Sequence, residues 1–549
     1  MISDIGQCLR RVVLQSTEIK DEVQIVMMHG AEQFKALFEK FSDRPIMLYG
    51  DPDPDGLFSL YLMVKFCEML GKPYTYYVNE HRYHGFTLKP ESLNGYLVIA
   101  ADFHITEGEM QSLVDNNVVI LSTDHHEIFG EFVNVVNSTY GTEGIILNNQ
   151  YYFEPEEDKY LSGAGVFYEL ICSLWPQFKS EELEAIVGIT LLTDIRAIEN
   201  PKARAYLTTT YNIRTNSDRY PYVKYLIEQT IDKKQDNLNG ATPKLDRNYI
   251  DYTLGPKLNA LLRLNDMKAT YDFIFGKGLA NFGIEYKERQ STLVDVMVAR
   301  AQTMKLSNIT FAAFVKDRDF TDVPDADKLS DFVGIVCNKL RDKDGGQNIL
   351  GFTIDHNKVT RASFRARYDD IPYLSSIRQL LPNADGHQGA FGIKDFEPTQ
   401  DIWNKLNDLI SDLESMHQSS VNIIPVKNLA SFINVKGTEI ATENAYVRDS
   451  YRTYIKYEGT GAIKSKETYK LRELTYEDKL HGRTADVTQN GKEYVYLLDT
   501  NGQRIPKYIE YYVDDRLVKS LYGDKIEDCV IMPIMERGLI RLYIKPMPR

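Results

Sequence analysis

Ile46-Met47-Leu48-Tyr49-Gly50-Asp51-Pro52-Asp53-Pro54-Asp55-Gly56 joins a short apolar run to a turn crowded with carboxylates. An apolar run of this length bounded by a loop reads as a buried parallel strand. The same grammar recurs downstream. Tyr96-Leu97-Val98-Ile99-Ala100 leads to Asp102, and Val118-Val119-Ile120-Leu121 leads to Asp124-His125-His126. Asp194 closes an apolar helical pattern that runs from Leu183 to Leu192. In open α/β sheets, ligands sit at the carboxyl ends of the strands. Carboxylates gathered there repel one another, and divalent cations supply the missing counter-charge. Oxygen-rich donors with one or two imidazoles suit Mn²⁺ or Mg²⁺ better than a structural zinc. The spacing predicts an α/β fold that carries a two-metal hydrolytic site.

The rest of the chain is consistent with a large globular protein. Its 549 residues are too many for one core. Hydrophobic residues make up 43% and charged residues 26%, an ordinary balance. No apolar stretch approaches a membrane span, and Met1-Ile2-Ser3-Asp4 lacks the basic and apolar regions of a secretory signal. The cysteines (Cys8, Cys67, Cys172, Cys337 and Cys529) are scattered without CxxC spacing, so a reducing, cytoplasmic setting is expected. A formal charge of −14 argues against a protein that coats nucleic acid. It leaves room for a local basic groove on an acidic exterior.

Phe34, Leu37, Phe38 and Phe41 recur at helical spacing within a helical N-terminal extension, residues 1–45. Strands and helices alternate over residues 46–283, where Leu57 to Leu70 reads as a helix stopped by Gly71. Asp232 to Arg247 reads as an exposed connection. An amphipathic pattern from Tyr286 to Met304 predicts a helix linking two lobes, residues 284–306. A second α/β pattern opens with Ile309-Thr310-Phe311-Ala312-Ala313-Phe314 and fills residues 307–400. In residues 401–549, a helix from Trp403 to Met416 gives way to tyrosine-rich short strands. Asn490-Gly491 and Asn501-Gly502 there are hairpin signals, and a small barrel or sandwich is expected.

Each motif also has a plainer reading. Pro, Asp and Gly make polar turns for independent reasons. A calcium-loop reading of the first motif fails because Leu62 stands where that loop needs a carboxylate. Adjacent histidines point in different directions, so one of His125 and His126 can ligate while the other faces substrate. Asp124 is placed to orient the metal-bound imidazole. His29, His356, His417 and His481 have no such company and read as surface or core residues. Tyr451-Arg452-Thr453-Tyr454-Ile455-Lys456-Tyr457, with Lys464, Lys466, Tyr469 and Lys470, reads either as a nucleic-acid contact or as an ordinary half-buried strand.

Together the motifs resemble the DHH phosphoesterase superfamily, and within it the RecJ-type single-strand exonucleases. Residues 50–56 resemble the RecJ first motif, and Leu161-Ser162-Gly163-Ala164-Gly165-Val166 the glycine segment after the triplet. Residues 255–264 are similar to the family's Pro-x-x-Asn-Ala-x-Gly-Arg element, with Leu262 in place of its Gly. Glu288-Arg289-Gln290 sits near the start of the inter-lobe helix. Gly334-Ile335-Val336, Ser363-Phe364-Arg365 and residues 386–392 resemble the DHH-associated (DHHA1) domain, with Asp385 and Ala366 as departures. The resemblance covers roughly residues 46–395. It implies a two-lobed α/β fold, a DHH parallel sheet and a DHHA1 domain joined by a long helix. A mainly β C-terminal domain, with an OB-like barrel as one reading, follows.

The resemblance implies one ion on Asp51, Asp53 and Asp102 and another on Asp55, Asp102, His125 and Asp194, with Asp102 bridging. Two Mn²⁺ or Mg²⁺ ions so held activate water and stabilise charge at phosphorus. Asp102, Asp124 and His126 then form the catalytic set, with His126 on the scissile phosphate. Arg82, Arg263, Ser363, Arg365 and His387 are implied to hold the terminal 5′ phosphate, Arg through bidentate donors. The implied activity is 5′→3′ hydrolysis of single-stranded DNA in repair or recombination, beside replication or repair proteins and away from membranes. A DHH phosphodiesterase for nanoRNA or cyclic dinucleotides is the alternative enzyme. A non-catalytic replication or repair scaffold is a third reading, disfavoured because every expected ligand position is filled.

Overall fold

The computed structural model describes residues 23 and 25–418, apart from 81–84, 104, 127–143, 151–153, 156–157, 195–199, 232–244, 246–248, 278–281, 344–345, 369–370 and 395. Beyond residue 418 it describes only the strands given below. The contacts divide the chain into two compact units, one of residues 19–368 with 372–411, the other of 1–18, 369–371 and 412–549.

The first unit opens with helix α1 (Ala31–Phe41), which buries Phe34, Leu37 and Phe38. Five strands then form an all-parallel sheet: β1 (Ile46–Gly50), β2 (Tyr74–Val78), β3 (Leu97–Ala101), β4 (Val119–Asp124) and β5 (Gly144–Asn148), in the order β2-β1-β3-β4-β5. Every residue of β3, β4 and β5 is buried, as expected of a sheet covered on both faces. On one side, α2 (Pro54–Leu70) packs against β1, β3 and two further helices, α4 (Gly163–Leu174) and α5 (Glu181–Thr193). Helix α2 begins where Asp53 caps it and Pro54 occupies its first turn. It ends at Gly71, whose φ of 64° is the left-handed stop expected there. On the other side lies a core of Val98, Ala100, Phe103, Met110, Leu113 and Ile120, to which α3 (Glu107–Asp115) contributes after a Thr106/Glu109 capping box. Strand order reverses between β1 and β3, which opens the crevice where ligands bind in such sheets.

Helices α6 (Pro201–Asn212), α7 (Pro221–Thr230), α8 (Gly255–Arg263) and α9 (Met267–Ile274) lead to α10 (Phe282–Arg300). The connecting helix stops at Arg300. Gln302–Lys305, which the amphipathic pattern extends into the helix, is instead strand β6 and pairs with β7 (Ile309–Val315). The second sheet has the order β10-β11-β9-β8-β7-β6, with β8 (Asn348–Asp355), β9 (Lys358–Arg365), β10 (Ala384–His387) and β11 (Ala390–Ile393). Its pairs are antiparallel except β7–β8. The β8–β9 hairpin turns through His356 and Asn357, both with positive φ. Helix α11 (Leu329–Lys343) packs on β8, β9 and α10, and α12 (Gln400–Gln418) follows the sheet.

The second unit contains β12 (Asn422–Val426), β13 (Val447–Arg448), β14 (Thr453–Tyr457), β15 (Lys466–Glu467), β16 (Tyr494–Val495), β17 (Ile509–Val513), β18 (Cys529–Glu536) and β19 (Leu539–Pro546). One sheet runs β12-β14-β18-β19-β17, with β13 also on β18, and β15 pairs with β16. The two Asn-Gly hairpin signals, Lys464, Tyr469 and Lys470 lie outside the described residues.

Candidate metal centre

Every candidate ligand stands at the carboxyl edge of the first sheet or at a helix end beside it. Asp51 follows β1 directly. Asp53 Oδ1 accepts from Gly56 N at 2.8 Å and so fixes the start of α2. Asp55 sits in the first turn of α2, where its Oδ2 accepts from Gly163 N at 2.6 Å and its Oδ1 from Ala164 N at 3.1 Å. These are the first amides of α4, and a helix N-terminus favours a carboxylate through its open N–H groups and its dipole. Asp102 follows β3 with φ 64°, a left-handed conformation that Asp tolerates better than most side chains. Its N donates to Thr123 O at 3.0 Å, so the kink stays tied to β4.

Two glycines make room for these carboxylates. A Cβ on Gly163 would lie 2.7 Å from Asp102 Cα, and one on Gly56 would lie 2.6 Å from Asp51 Cβ. No side chain fits at either distance.

His125 joins the carboxylates. Its Nε2 lies 3.0 Å from Asp102 Oδ1 and 3.8 Å from Asp55 Oδ2, and its Nδ1 lies 3.7 Å from Asp194 Oδ2. Asp194 is delivered by the C-terminus of α5, where its N donates to Thr190 O at 2.9 Å. Asp51, Asp53 and Asp102 bring ligand atoms within 4.8 Å of one another, as do Asp55, His125 and Asp194. Asp102 also groups with His125 and His126, so it stands between the two sets.

The electrostatics of this cluster call for cations. Burial, then the charge of Asp194 and Asp53, pushes the Asp55 carboxyl well above the usual range, although the α4 amides pull the other way. Burial and then Asp55, Asp53, Asp51 and Asp194 do the same to Asp102. Asp102 Oδ1 is buried and accepts no hydrogen bond among the described residues. Buried like charges with an unsatisfied acceptor fit a pair of divalent ions, and the donor set is of the hard kind that Mn²⁺ and Mg²⁺ take.

One expectation is corrected. Asp124 Oδ1 lies 2.7 Å from His126 Nδ1, and Asn148 Nδ2 donates to Asp124 Oδ2 at 3.2 Å. Asp124 therefore orients His126, the half-exposed outer imidazole, rather than the ligand candidate His125. Along an extended strand, residues i and i+2 share a face, which is why Asp124 meets His126. Burial resists protonation of His126, but Asp124 outweighs it and raises the imidazole to about 9. Asn148 also donates to His126 O at 3.1 Å. Nothing in the sequence marked this asparagine beyond its place at the end of β5.

Behind α4 lies a second buried cluster that no spacing announced. Lys202 of α6 pairs with Asp158 and with Glu169 Oε2 of α4, the latter at 2.5 Å, and Tyr206 OH donates to Glu169 Oε1 at 2.9 Å. Burial raises Glu169 to about 7, against the pull of Lys202, while the two carboxylates raise Lys202. The Glu169 shift comes from burial and the neighbouring Asp158, whereas the Lys202 shift comes from the two carboxylates, which outweigh its burial.

The proposed phosphate-end residues are placed as follows. Arg82 lies outside the described residues. Arg263 ends α8 and is half-buried. On β9, Arg365 Nη1 donates to Ser363 Oγ at 2.9 Å and to Phe364 O at 2.6 Å. A Cβ on Gly334 of α11 would lie 3.0 Å from Arg365 Cζ, so the guanidinium rests on that glycine. The register sets both Arg365 and His387 opposite Ala390, which brings their backbones to one end of the sheet. The His387 side chain lies outside the described residues.

Comparison with known proteins points the same way. Residues 45–193 match the model of the DHH family, N-terminal domain, a span holding every ligand candidate except Asp194. Over 407 residues the chain is 23% identical to the single-stranded-DNA-specific exonuclease RecJ of Bacillus subtilis (strain 168), covering 70% of this chain and 47% of that protein. The chain thus spans about half the length of this curated relative. RecJ from Thermus thermophilus in complex with Mn²⁺ is similar in fold, with TM-score 0.58 at 14% identity over 100% of this chain and 77% of that one. The Mg²⁺ complex of the same protein gives TM-score 0.52 at 11% identity over 100% and 76%. No helix among the described residues is long and apolar enough to cross a membrane.

Proposed function

We propose that this chain, a RecJ-like protein whose residues 45–193 are a DHH-family domain, is a metal-dependent phosphodiester hydrolase that degrades single-stranded DNA from its 5′ end. The observation that carries the reading is the pair of three-residue ligand sets that Asp102 and His125 bring together at the sheet's carboxyl edge. The match to a single-stranded-DNA-specific exonuclease supports the substrate.

In this reading Asp51, Asp53 and Asp102 hold one divalent ion, and Asp55, Asp102, His125 and Asp194 hold the other. Such ions supply Lewis acidity, which lowers the pKa of water and stabilises charge on the phosphorus centre and the leaving oxygen. The chain's own residues do the rest. The α4 amides fix Asp55, and the left-handed turn fixes Asp102 between the two sets. His126, held through Nδ1 by Asp124, serves the scissile phosphate as a hydrogen-bond donor. Ser363 and Arg365, with Arg82, Arg263 and His387, hold the terminal phosphate and so require a free strand end.

End-labelled single-stranded DNA, short RNA and cyclic dinucleotides incubated with the protein and Mn²⁺ or Mg²⁺ test this directly. A ladder of mononucleotides released from the 5′ end of DNA is expected. Equal cleavage of circular and linear single strands would overturn the scheme.

A further inference from the structure

Strands β4 and β5 end side by side, and their last residues, Asp124 and Asn148, are register partners. Partners on neighbouring strands project to the same side of a sheet, so the Asn148 amide stands beside the Asp124 carboxylate. Both residues are buried. Asn148 Nδ2 donates to Asp124 Oδ2 at 3.2 Å and to His126 O at 3.1 Å, and its Oδ1 accepts from Gln150 N at 2.7 Å. A side-chain amide can be placed either way round, but two of these partners have one role each. A backbone N–H only donates, and a carbonyl only accepts. The orientation is therefore fixed, and both N–H groups of Asn148 are spent on the Asp124–His126 arm. Burying an amide is costly unless its hydrogen bonds are made, and here they are made to that arm.

Asp124 is held at both oxygens. Its Oδ2 takes the Asn148 amide, and its Oδ1 meets His126 Nδ1 at 2.7 Å. A carboxylate so fixed cannot turn, and the imidazole bonded to it keeps its plane. The same amide holds the His126 carbonyl, so ring and backbone are gripped from one point. The turn that carries Asn148 is anchored in its own right. Asn149 N donates to Asp124 O at 3.3 Å, Asn149 Nδ2 to Asp158 O at 2.7 Å, and Gln150 Nε2 to Lys159 O at 2.8 Å. Asp158 and Lys159 lie in the single helical turn Asp158–Tyr160 that leads into α4, whose first amides hold Asp55. One turn thus ties the His126 arm to the helix behind the metal ligands.

We propose that Asn148 is a positioning residue for hydrolysis, which through Asp124 sets the His126 ring against the scissile phosphate. This role rests on the hydrolytic reading above. With Nδ1 committed to Asp124, Nε2 is the ring nitrogen that meets the substrate.

The test uses the full chain and two variants. Asn148→Ala deletes the amide, and Asn148→Asp keeps its shape while setting an acceptor against Asp124. Turnover of end-labelled single-stranded DNA with Mn²⁺ should fall about ten- to a hundredfold in both, as for loss of a hydrogen bond to a charged group and a small misplacement at the reacting centre. KM and calorimetric Mn²⁺ affinity should keep their wild-type values. In a His126→Ala background neither substitution should lower turnover further, because the ring that Asn148 positions has gone. In metal-free protein carrying isotope-labelled histidine, the His126 ring-nitrogen resonances are identified by their loss in His126→Ala. They should move in Asn148→Ala, which adds no charge. A full further loss of turnover in the His126→Ala background would overturn the role, because Asn148 would then act without His126. Weakened Mn²⁺ binding or unmoved ring resonances would overturn it as well. Wild-type protein that hydrolyses no phosphodiester would overturn the hydrolytic reading, and the ring resonances would still decide whether Asn148 holds His126.

Discussion

Asp102 combines a left-handed backbone, a buried charge and a place in two ligand sets. Asp102→Asn keeps the shape and tolerates the backbone at φ 64° but removes the charge. It should lower hydrolysis at least about a hundredfold, or roughly 2.7 kcal/mol of barrier. The metal-free protein should melt no lower than wild type, since repulsion from Asp55, Asp53, Asp51 and Asp194 is relieved. Activity above about a tenth of wild type, less than about 1.4 kcal/mol of barrier, would remove Asp102 from the bridging role. The two histidines should separate in calorimetric Mn²⁺ titration. His125→Ala is expected to weaken both metal binding and turnover, and His126→Ala chiefly turnover, because Asp124 holds His126 as the outer ring. Equal loss of metal affinity in both would reverse the assignment. At this scale much was legible, because acidic residues directly after buried apolar runs can only converge at one sheet edge. The partner of Asp124 was legible in principle too, since strand alternation pairs it with His126 rather than with its neighbour.

Among the elements, α4 ties the site together. Its first amides hold Asp55, its first residue makes room for Asp102, and Glu169 in its middle reaches Lys202 of α6. Gly163→Ala should lower Mn²⁺ affinity with every ligand still present, because the new methyl forces Asp102 or the α4 amides to move. Overpacking of this kind costs about 1–3 kcal/mol of stability. Wild-type metal affinity in Gly163→Ala would show that α4 can shift without consequence. Lys202→Met leaves two buried carboxyls without their cation, at a cost of about 3–5 kcal/mol. A carboxyl raised in the folded state stabilises below its unfolded pKa, and that stability is lost as pH rises through about 7. The melting deficit of Lys202→Met should therefore shrink as pH is lowered from 7, as Glu169 takes up a proton. A deficit independent of pH would mean that the cluster acts by packing alone. The strands and α2, α5 and α12 were readable from apolar period and caps. The end of α10 was not, because Met304, the one apolar residue of β6, falls at helical spacing from Met297 and Ala301. The Lys202 cluster has no local signature, since its members come from separate segments.

At the level of the whole molecule, every proposed ligand falls within one compact unit, residues 19–368 with 372–411. A chain ending at residue 411 should therefore bind Mn²⁺ as tightly as the full chain and gain thermal stability from it. Saturation at a hundred times Kd adds about 2.7 kcal/mol per site. A truncated chain that fails to bind Mn²⁺ would make the C-terminal unit part of the centre. The composition of that unit announced strands, and strands are what its described residues beyond 418 form. Which strand pairs with which could not be read, since tyrosine-rich runs of similar length have no distinguishing register. The order of the proposed site along the chain carries one more consequence. The proposed metal ligands are complete by Asp194, whereas the phosphate-end candidates, apart from Arg82, begin at Arg263. In the proposed scheme, chemistry and grip on the strand end are thus written in successive stretches of the gene, Arg82 apart. A recombination event between Asp194 and Arg263 would exchange those phosphate-end candidates while leaving every proposed metal ligand in place.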